Sequence, residues 1–517
     1  MKKNFAKRIL SLLVVLSLML GASAALAEDA PKYGGSLNAT INSDPGSLDM
    51  MLETNEQAQM PGAHIFETIL SVDLAGQAHT GVCAYEQSED GMTLTLTLRE
   101  GLKFHSGEAV TIEDVKATLD RWFANVSGAR KNIQDRAESI EVSGNAIVIK
   151  FSKPAPLALM YLSNYAQGPY VMPKAILEAA GSDKIKEYVG TGPYKFVEWQ
   201  PDRYIKVEKF ADYVPTTEEA TGLAAPKMAY LDTIFFIPVK DKMTRITGVQ
   251  TGSYDIAIGV PSNLYPSMAA DKNVSLHMRD LAITPGMVFN YTTGATADVK
   301  VRQAILACLN MEDLMLAAEG DPNFYYLSSD FMALASRFHN DAGADKYNHP
   351  DLDKAKALLA ESSYNGEKLV YLTTKDYDYF YTTALLAADM MRKIGIDVEL
   401  QVVDNATLND LRDQPDQYSI FSCGLTAKDD PTQIAFIASD TWGGDYASEG
   451  KTELLNRLST TPGDAERIAI WAEFGELLYE EVPVITFGER RNCVIAQNNV
   501  HNIFEGTRKF YWNTWVD

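Results

Sequence analysis

Residues 369 to 403 place the tightest demand on the fold. Leu369 to Leu372 begins a strand pattern, a helical pattern runs from about Thr382 to Ile394 and stops at Gly395, and Val398 to Val403 reads as a strand again. Glycine ends a helix readily because it enters the left-handed conformation without a Cβ penalty. The whole unit reads as a βαβ crossover, which requires parallel strands with a helix packed on the sheet and sets the fold class as α/β.

Other segments agree. Ser36 to Ile41 is strand-like, Met92 to Leu98 (MTLTLTL) alternates apolar residues with threonine at the period of a half-buried strand, and Ala146 to Phe151 is a short apolar run. Thr111 stands three residues before Asp114 in the pattern of a helix N-terminus, after which Val115, Leu119, Trp122 and Phe123 recur on one face. Val301 to Leu309, Leu352 to Leu359 and Asp464 to Tyr479 carry further helical patterns. With no tandem repeat or long linker, two or three interleaved domains are expected.

The first 27 residues form an export signal: Lys2, Lys3, Lys7 and Arg8, then a dozen apolar residues from Ile9 to Leu20, then Ala25-Leu26-Ala27 before Glu28. The apolar run is shorter than the roughly 20 residues needed to span a bilayer. Cleavage is expected near Ala27, with no cysteine there to take a lipid. Loss of the four basic residues moves the formal net charge from −23 to −27, which argues against nucleic acid or anionic lipid as a partner. Cys83, Cys308, Cys423 and Cys493 lack metal or redox spacing and read as buried small hydrophobes.

Catalytic motifs are missing. The seven histidines form no HExxH pair, and there is no Gly-x-Ser-x-Gly elbow. Gly450-Lys451-Thr452 lacks the first glycine of a phosphate loop, since position 445 is Asp445, and reads as a surface turn. Gly190-Thr191-Gly192 runs into Pro193 where a dinucleotide-binding helix would open, so it reads as a turn into a strand from Tyr194 to Val197. No cofactor or metal is expected.

Arg99-Glu-Gly-Leu-Lys-Phe-His-Ser-Gly107, followed by Thr111-Ile-Glu-Asp-Val115, resembles the extracytoplasmic solute-binding proteins that serve peptide and nickel ABC importers. Tyr33-Gly-Gly-Ser-Leu37, Ser47-Leu-Asp49, Val189-Gly-Thr-Gly-Pro-Tyr194, Gly252-Ser-Tyr-Asp-Ile256, Val301-Arg-Gln-Ala304, Ile394-Gly-Ile396 and Glu481-Val-Pro-Val484 extend the resemblance almost to the C-terminus. It implies a bilobal, type II periplasmic-binding-protein-like fold with two hinged lobes and an extra domain. The expected division is 28–73, 190–287 and 500–517 for the first lobe, 74–189 for the extra domain, and 288–499 for the second lobe.

The implied function is non-enzymatic capture of a peptide or similar small polar solute outside the cytoplasmic membrane, with a periplasmic location first and a secreted or wall-retained one second. Delivery would be to a membrane permease, by a monomer. A nickel-chelate, opine or oligosaccharide receptor is the alternative within the family; a secreted hydrolase with an Asp/Glu pair is the alternative outside it. In dipeptide-type members an acid four residues before the proline of Asp-Pro holds the peptide amine, but Ala427 occupies that place in Cys423-Gly-Leu-Thr-Ala-Lys-Asp-Asp-Pro431. Thr426, Asp429 and Asp430 are the candidates that remain there, with Asp430 as a helix N-cap an equally good reading. Lys375 stands near where some relatives place a carboxylate-binding Arg, and Arg337 is a second cationic candidate. Tyr165, Tyr377 and Trp442 offer flat surfaces with a polar edge, and Gln57 and Gln59 are candidate first-lobe contacts.

Overall fold

The computed structural model describes residues 30–281, 283–503 and 510–517, so the export segment lies outside the described residues. The chain opens the first-lobe sheet with β1 (Ser36–Ile41) and then forms α1 (Glu56–Ile65). It leaves through β2 (Leu70–Val72) and β3 (Ala78–Thr80) for an extra domain built from β4 (Cys83–Gln87), β5 (Thr93–Leu98), α2 (Ile112–Asn125), β6 (Ala137–Ser143) and β7 (Ala146–Phe151). It returns with β8 (Tyr194–Gln200), β9 (Tyr204–Lys209), β10 (Thr233–Pro238), β11 (Ile256–Ile258) and β12 (Val274–Asp280).

The second lobe follows with β13 (Ile283–Phe289), α3 (Val299–Cys308), α4 (Met311–Glu319), a short β14 (Tyr325–Tyr326) that pairs with the first-lobe sheet instead, β15 (Leu369–Thr374), α5 (Asp378–Lys393), β16 (Val398–Val403), β17 (Ile420–Thr426), α6 (Asp464–Glu481) and β18 (Val484–Thr486). Then β19 (Glu489–Gln497) goes back to the first lobe. Its sheet has the order β12-β19-β11-β1-β10-β9-β8, the second lobe β16-β15-β17-β13-β18, and the extra domain β4-β5-β7-β6.

The crossover is present: β15 and β16 pair in parallel from Leu369↔Val398 to Thr374↔Val403, and Gly395 has φ 100°. Its helix begins four residues earlier than the sequence pattern suggested, at Asp378. In β5, Leu94, Leu96 and Leu98 are buried against Val115, Leu119, Trp122 and Phe123 of α2. The Asp114 carboxylate accepts the Thr111 backbone N–H at 2.9 Å and the Lys174 N–H at 2.8 Å, so one acid caps α2 and anchors the short helix Lys174–Ala180.

Four expectations need correcting. Residues 283–287, expected in the first lobe, pair with β17 and β18 in the second-lobe sheet. Glu489–Gln497 had been placed in the second lobe, yet it pairs with β11 and β12. Both of its faces are buried, Val494 and Ala496 in one core and Cys493 and Ile495 in another, which makes it a central strand of the first lobe. The end of the extra-domain segment (Tyr165, Tyr170, Met172, Leu177 and Ile185) packs in the first-lobe core. Gly450-Lys451-Thr452 is no surface turn but lies in the helix Glu449–Thr460, where Lys451 is fully buried and its Nζ donates to the carbonyls of Tyr446 at 2.6 Å and Ser439 at 3.0 Å.

Buried polar groups join the bodies. Asp49 pairs with Arg121 of α2 at 2.7 Å and also accepts the Ile185 N–H at 3.0 Å, while Arg121 donates to the carbonyls of Gly181 and Asp183. Gly190 and Gly192 lie against α1, where an added Cβ would come within 2.1 and 2.4 Å of backbone oxygens of Ile65 and His64. His105 closes the same junction, donating from Nε2 to Gly192 O at 2.9 Å and accepting the Gly190 N–H at Nδ1.

Replacing Asp49 with Ala leaves the Arg121 guanidinium buried without its anion, and chemical denaturation is expected to show a loss of about 3–5 kcal/mol. Burial lowers the His64 pKa to about 3; its Nδ1 hydrogen bonds to Met60 O at 2.7 Å and Nε2 accepts the Tyr511 N–H at 2.9 Å. The unfolded chain therefore binds a proton at His64 that the native state refuses, and stability falls as pH drops from about 6.5 toward 3. In His64→Gln, the slope of unfolding free energy against pH between 6 and 4 is expected to flatten by up to about 1.4 kcal/mol per pH unit.

Candidate functional site

The chain crosses between the lobes after β12 and again between β18 and β19, and the crossings hydrogen bond to each other. Leu281 N–H donates to Arg490 O and Phe487 N–H to Pro285 O, each at 2.9 Å. Around this hinge, α1 begins on the first lobe and α5 begins on the second, beside the C-terminal ends of β15 and β17.

At that end of the second lobe β17 has an open edge. Gly424, Leu425 and Thr426 pair with Pro285, Thr284 and Ile283 of β13, but β15 is in register with β17 only at Tyr371↔Ile420 and Leu372↔Phe421 and ends at Thr374. Gly424 and Thr426 are exposed, as are Lys375 and Tyr377 just past β15. Tyr377, Tyr379 and Phe380 pack ring against ring with centroids 4.7–5.9 Å apart, and Lys375 Nζ sits 4.5 Å from the Tyr381 ring. Backbone groups without a strand partner beside a shelf of aromatic rings suit an extended chain.

The remaining candidates divide by what holds them. Gln57 accepts the Asn42 N–H at 2.6 Å and Gln59 donates to Thr54 O at 3.2 Å, so both buried side chains shape the loop before α1. Tyr165 is 5 % exposed and meets the Phe510 ring edge-on at 5.4 Å. Asp430 is fully buried: Oδ1 accepts the Thr432 N–H at 3.0 Å, and Oδ2 pairs with Arg467 of α6 at 2.6 Å. Its geometry is that of the N-cap. Trp442 packs on Phe421 and Arg412, near the start of β17 and away from the hinge end.

Arg337 and Asp429 meet the turn between β2 and β3. The Arg337 backbone N–H donates to Ala75 O at 2.9 Å, its guanidinium to Gly76 O, and Nε pairs with Asp464 of α6 at 3.2 Å. A Cβ on Gly76 would lie 3.6 Å from Asp429 O, and one on Gly91 3.3 Å from Pro462, so the second lobe and the extra domain touch at several points.

The sequence reading missed the hinge charges. Glu489 is 4 % exposed, accepts the Leu334 N–H at 3.1 Å, and burial raises its pKa. Arg490 pairs with Glu319 of α4 at 2.5 Å and lies 3.8 Å from the Tyr379 ring centre. Their signal was an acid and two arginines (Glu489-Arg490-Arg491) opening an otherwise apolar strand. Among the described residues no cluster of His, Cys, Asp and Glu could hold a metal, and no helix is long and apolar enough to cross a membrane. All four cysteines are free and buried.

Opening the lobes must break the contacts of Arg337 with the Ala75 and Gly76 carbonyls. Arg337→Ala is expected to raise the radius of gyration of the ligand-free protein in small-angle scattering while leaving the circular dichroism spectrum unchanged.

The chain is 25 % identical over 486 residues to a probable peptide ABC transporter periplasmic-binding protein, y4tO, of Sinorhizobium fredii, covering 90 % of this chain and 91 % of that one. The substrate-binding protein CtaP of Listeria monocytogenes superposes with a TM-score of 0.81 at 19 % identity, over 94 % of this chain and all of that one. The oligopeptide-binding protein AppA of Bacillus subtilis, solved with a nonapeptide, gives 0.69 at 19 %, again over 94 % of this chain and all of the other. The family model for bacterial extracellular solute-binding proteins, family 5, matches residues 78–445, and the chain belongs to that family.

Proposed function

We propose that the protein captures a short peptide in the gap between its lobes and hands it to the permease of an ABC importer. The open edge of β17 at Gly424–Thr426 carries this reading: an extended ligand adds there as a strand, its backbone satisfying the unpaired groups whatever its side chains, with Tyr377 and Tyr379 alongside. Ligand contacts to both lobes hold them together, and the closed form is what the permease meets. The work is done in the periplasm, after export by the segment 1–27 and its removal. The lobes and the extra domain divide near 73, 189 and the β12–β13 connection, with β19 returned to the first lobe.

Thermal unfolding of the purified protein against panels of peptides, opines, sugars and metal chelates tests the proposal. A peptide at 100 times its Kd adds about 2.7 kcal/mol, a rise of a few degrees in Tm. A shift with sugars or chelates alone, or with none of the panels, defeats the peptide reading. Tyr377→Ala is expected to weaken peptide binding by about tenfold with stability within 0.5 kcal/mol of the parent, because that ring is 43 % exposed.

A further inference from the structure

The β12–β19 ribbon carries arginines on one face. Arg279 lies across from Asn492, and Asp280 across from Arg491. Side chains alternate faces along a strand, so Arg279, Asn492 and Arg490 share one face, and Asp280, Arg491 and Glu489 share the other. The ion pair of Arg491 Nε with Asp280 Oδ1 at 3.1 Å confirms the second set.

On the first face the two guanidinium groups lean toward different lobes. Arg490 is neutralised by Glu319 on the second lobe and stacked on Tyr379. Arg279 is directed to the first lobe, where Nη1 reaches Oε1 of Glu56, the first residue of α1, at 3.5 Å. Tyr165 and Tyr511 are close enough to act on its charge. Only 6 % of Arg279 is exposed, yet its Nε has no hydrogen-bond acceptor among the described residues.

A guanidinium buried to this degree is costly unless a carboxylate meets its fork of N–H groups at short range. One contact of 3.5 Å to Glu56, whose side chain is 45 % exposed, does not meet that need. We propose that Arg279 is an anion subsite that receives a carboxylate of the captured ligand, at the hinge wall between the first turns of α1 and α5. This rests on the peptide reading and sharpens it: the ligand is bound by backbone pairing at β17 and by an acid group at Arg279. A strongly acidic protein needs such a built-in cation to hold an anionic group in its cleft.

Calorimetric titration of trialanine and of trialanine amide into the parent, Arg279→Gln and Arg279→Lys separates the two claims. The parent is expected to prefer the free acid by about tenfold or more. Arg279→Gln is expected to lose that preference while binding the amide within about threefold of the parent, and Arg279→Lys to keep part of it. An acid preference that survives in Arg279→Gln, or a parent that binds acid and amide alike, overturns the subsite while leaving peptide capture standing. Should the parent bind neither, native mass spectrometry of the protein as purified decides. A co-purifying acid absent from Arg279→Gln supports the subsite; a molecule without an acid group, one retained equally by the variant, or no bound molecule overturns it.

Discussion

Everything mechanical in this molecule depends on the two crossings between the lobes. The β12–β19 ribbon is locked in register for seven residue pairs, from Val274↔Gln497 to Asp280↔Arg491, and the second-lobe strands β13 and β18 are locked in theirs. Motion is left to the few residues between these ladders, where Tyr325 and Tyr326 of β14 also pair with Arg490 and Glu489. Gly488 lies there with φ 155°, and a Cβ on it would meet Tyr326 O at 2.6 Å, so glycine is required for both conformation and space. Since hydrogen bonds on either side resist shear, the lobes are confined to rotation about a short axis.

The buried polar groups on either side of the axis explain why it moves while the lobe with its extra domain, and the other lobe, stay rigid. Asp49 with Arg121, and Asp430 with Arg467, are ion pairs almost without exposure, and each also accepts backbone N–H groups. Arg302 donates to the carbonyls of Glu481, Thr296 and Ala297 and so fastens α3 to the chain leaving α6. Such groups tolerate little displacement, because a partial break leaves a charge in a low-dielectric interior.

These same residues show what the sequence could disclose. Ser47-Leu-Asp49, Thr111 to Val115, Val189 to Tyr194, Val301-Arg-Gln-Ala304 and the Asp430-Pro431 pair are spelled out locally because caps, close glycine approaches and buried ion pairs need particular residues at particular spacings. They carried the family, while the strand and helix periods of residues 369 to 403 carried the α/β class and the crossover. The cleft is assembled from residues far apart in the chain. Arg279, Glu489 and Tyr379 have no common spacing, and only the register of β12 with β19 shows which of the charges share a face. Lys451 misled for the opposite reason: a basic residue after glycine reads as surface, but two carbonyls and the Asp440 carboxylate at 2.9 Å surround it in the interior.

Arg337 has a consequence of another kind. The Gly76 carbonyl that its guanidinium grips belongs to the protein, so its contribution to closure is the same with any ligand or none. A contact of that type changes the fraction of molecules already in the binding-competent shape, and apparent affinity for every ligand scales with that fraction. Selectivity and sensitivity are thereby written in different places. The residues lining the gap decide which solute is taken, and a single arginine outside it sets how scarce that solute can become before capture fails.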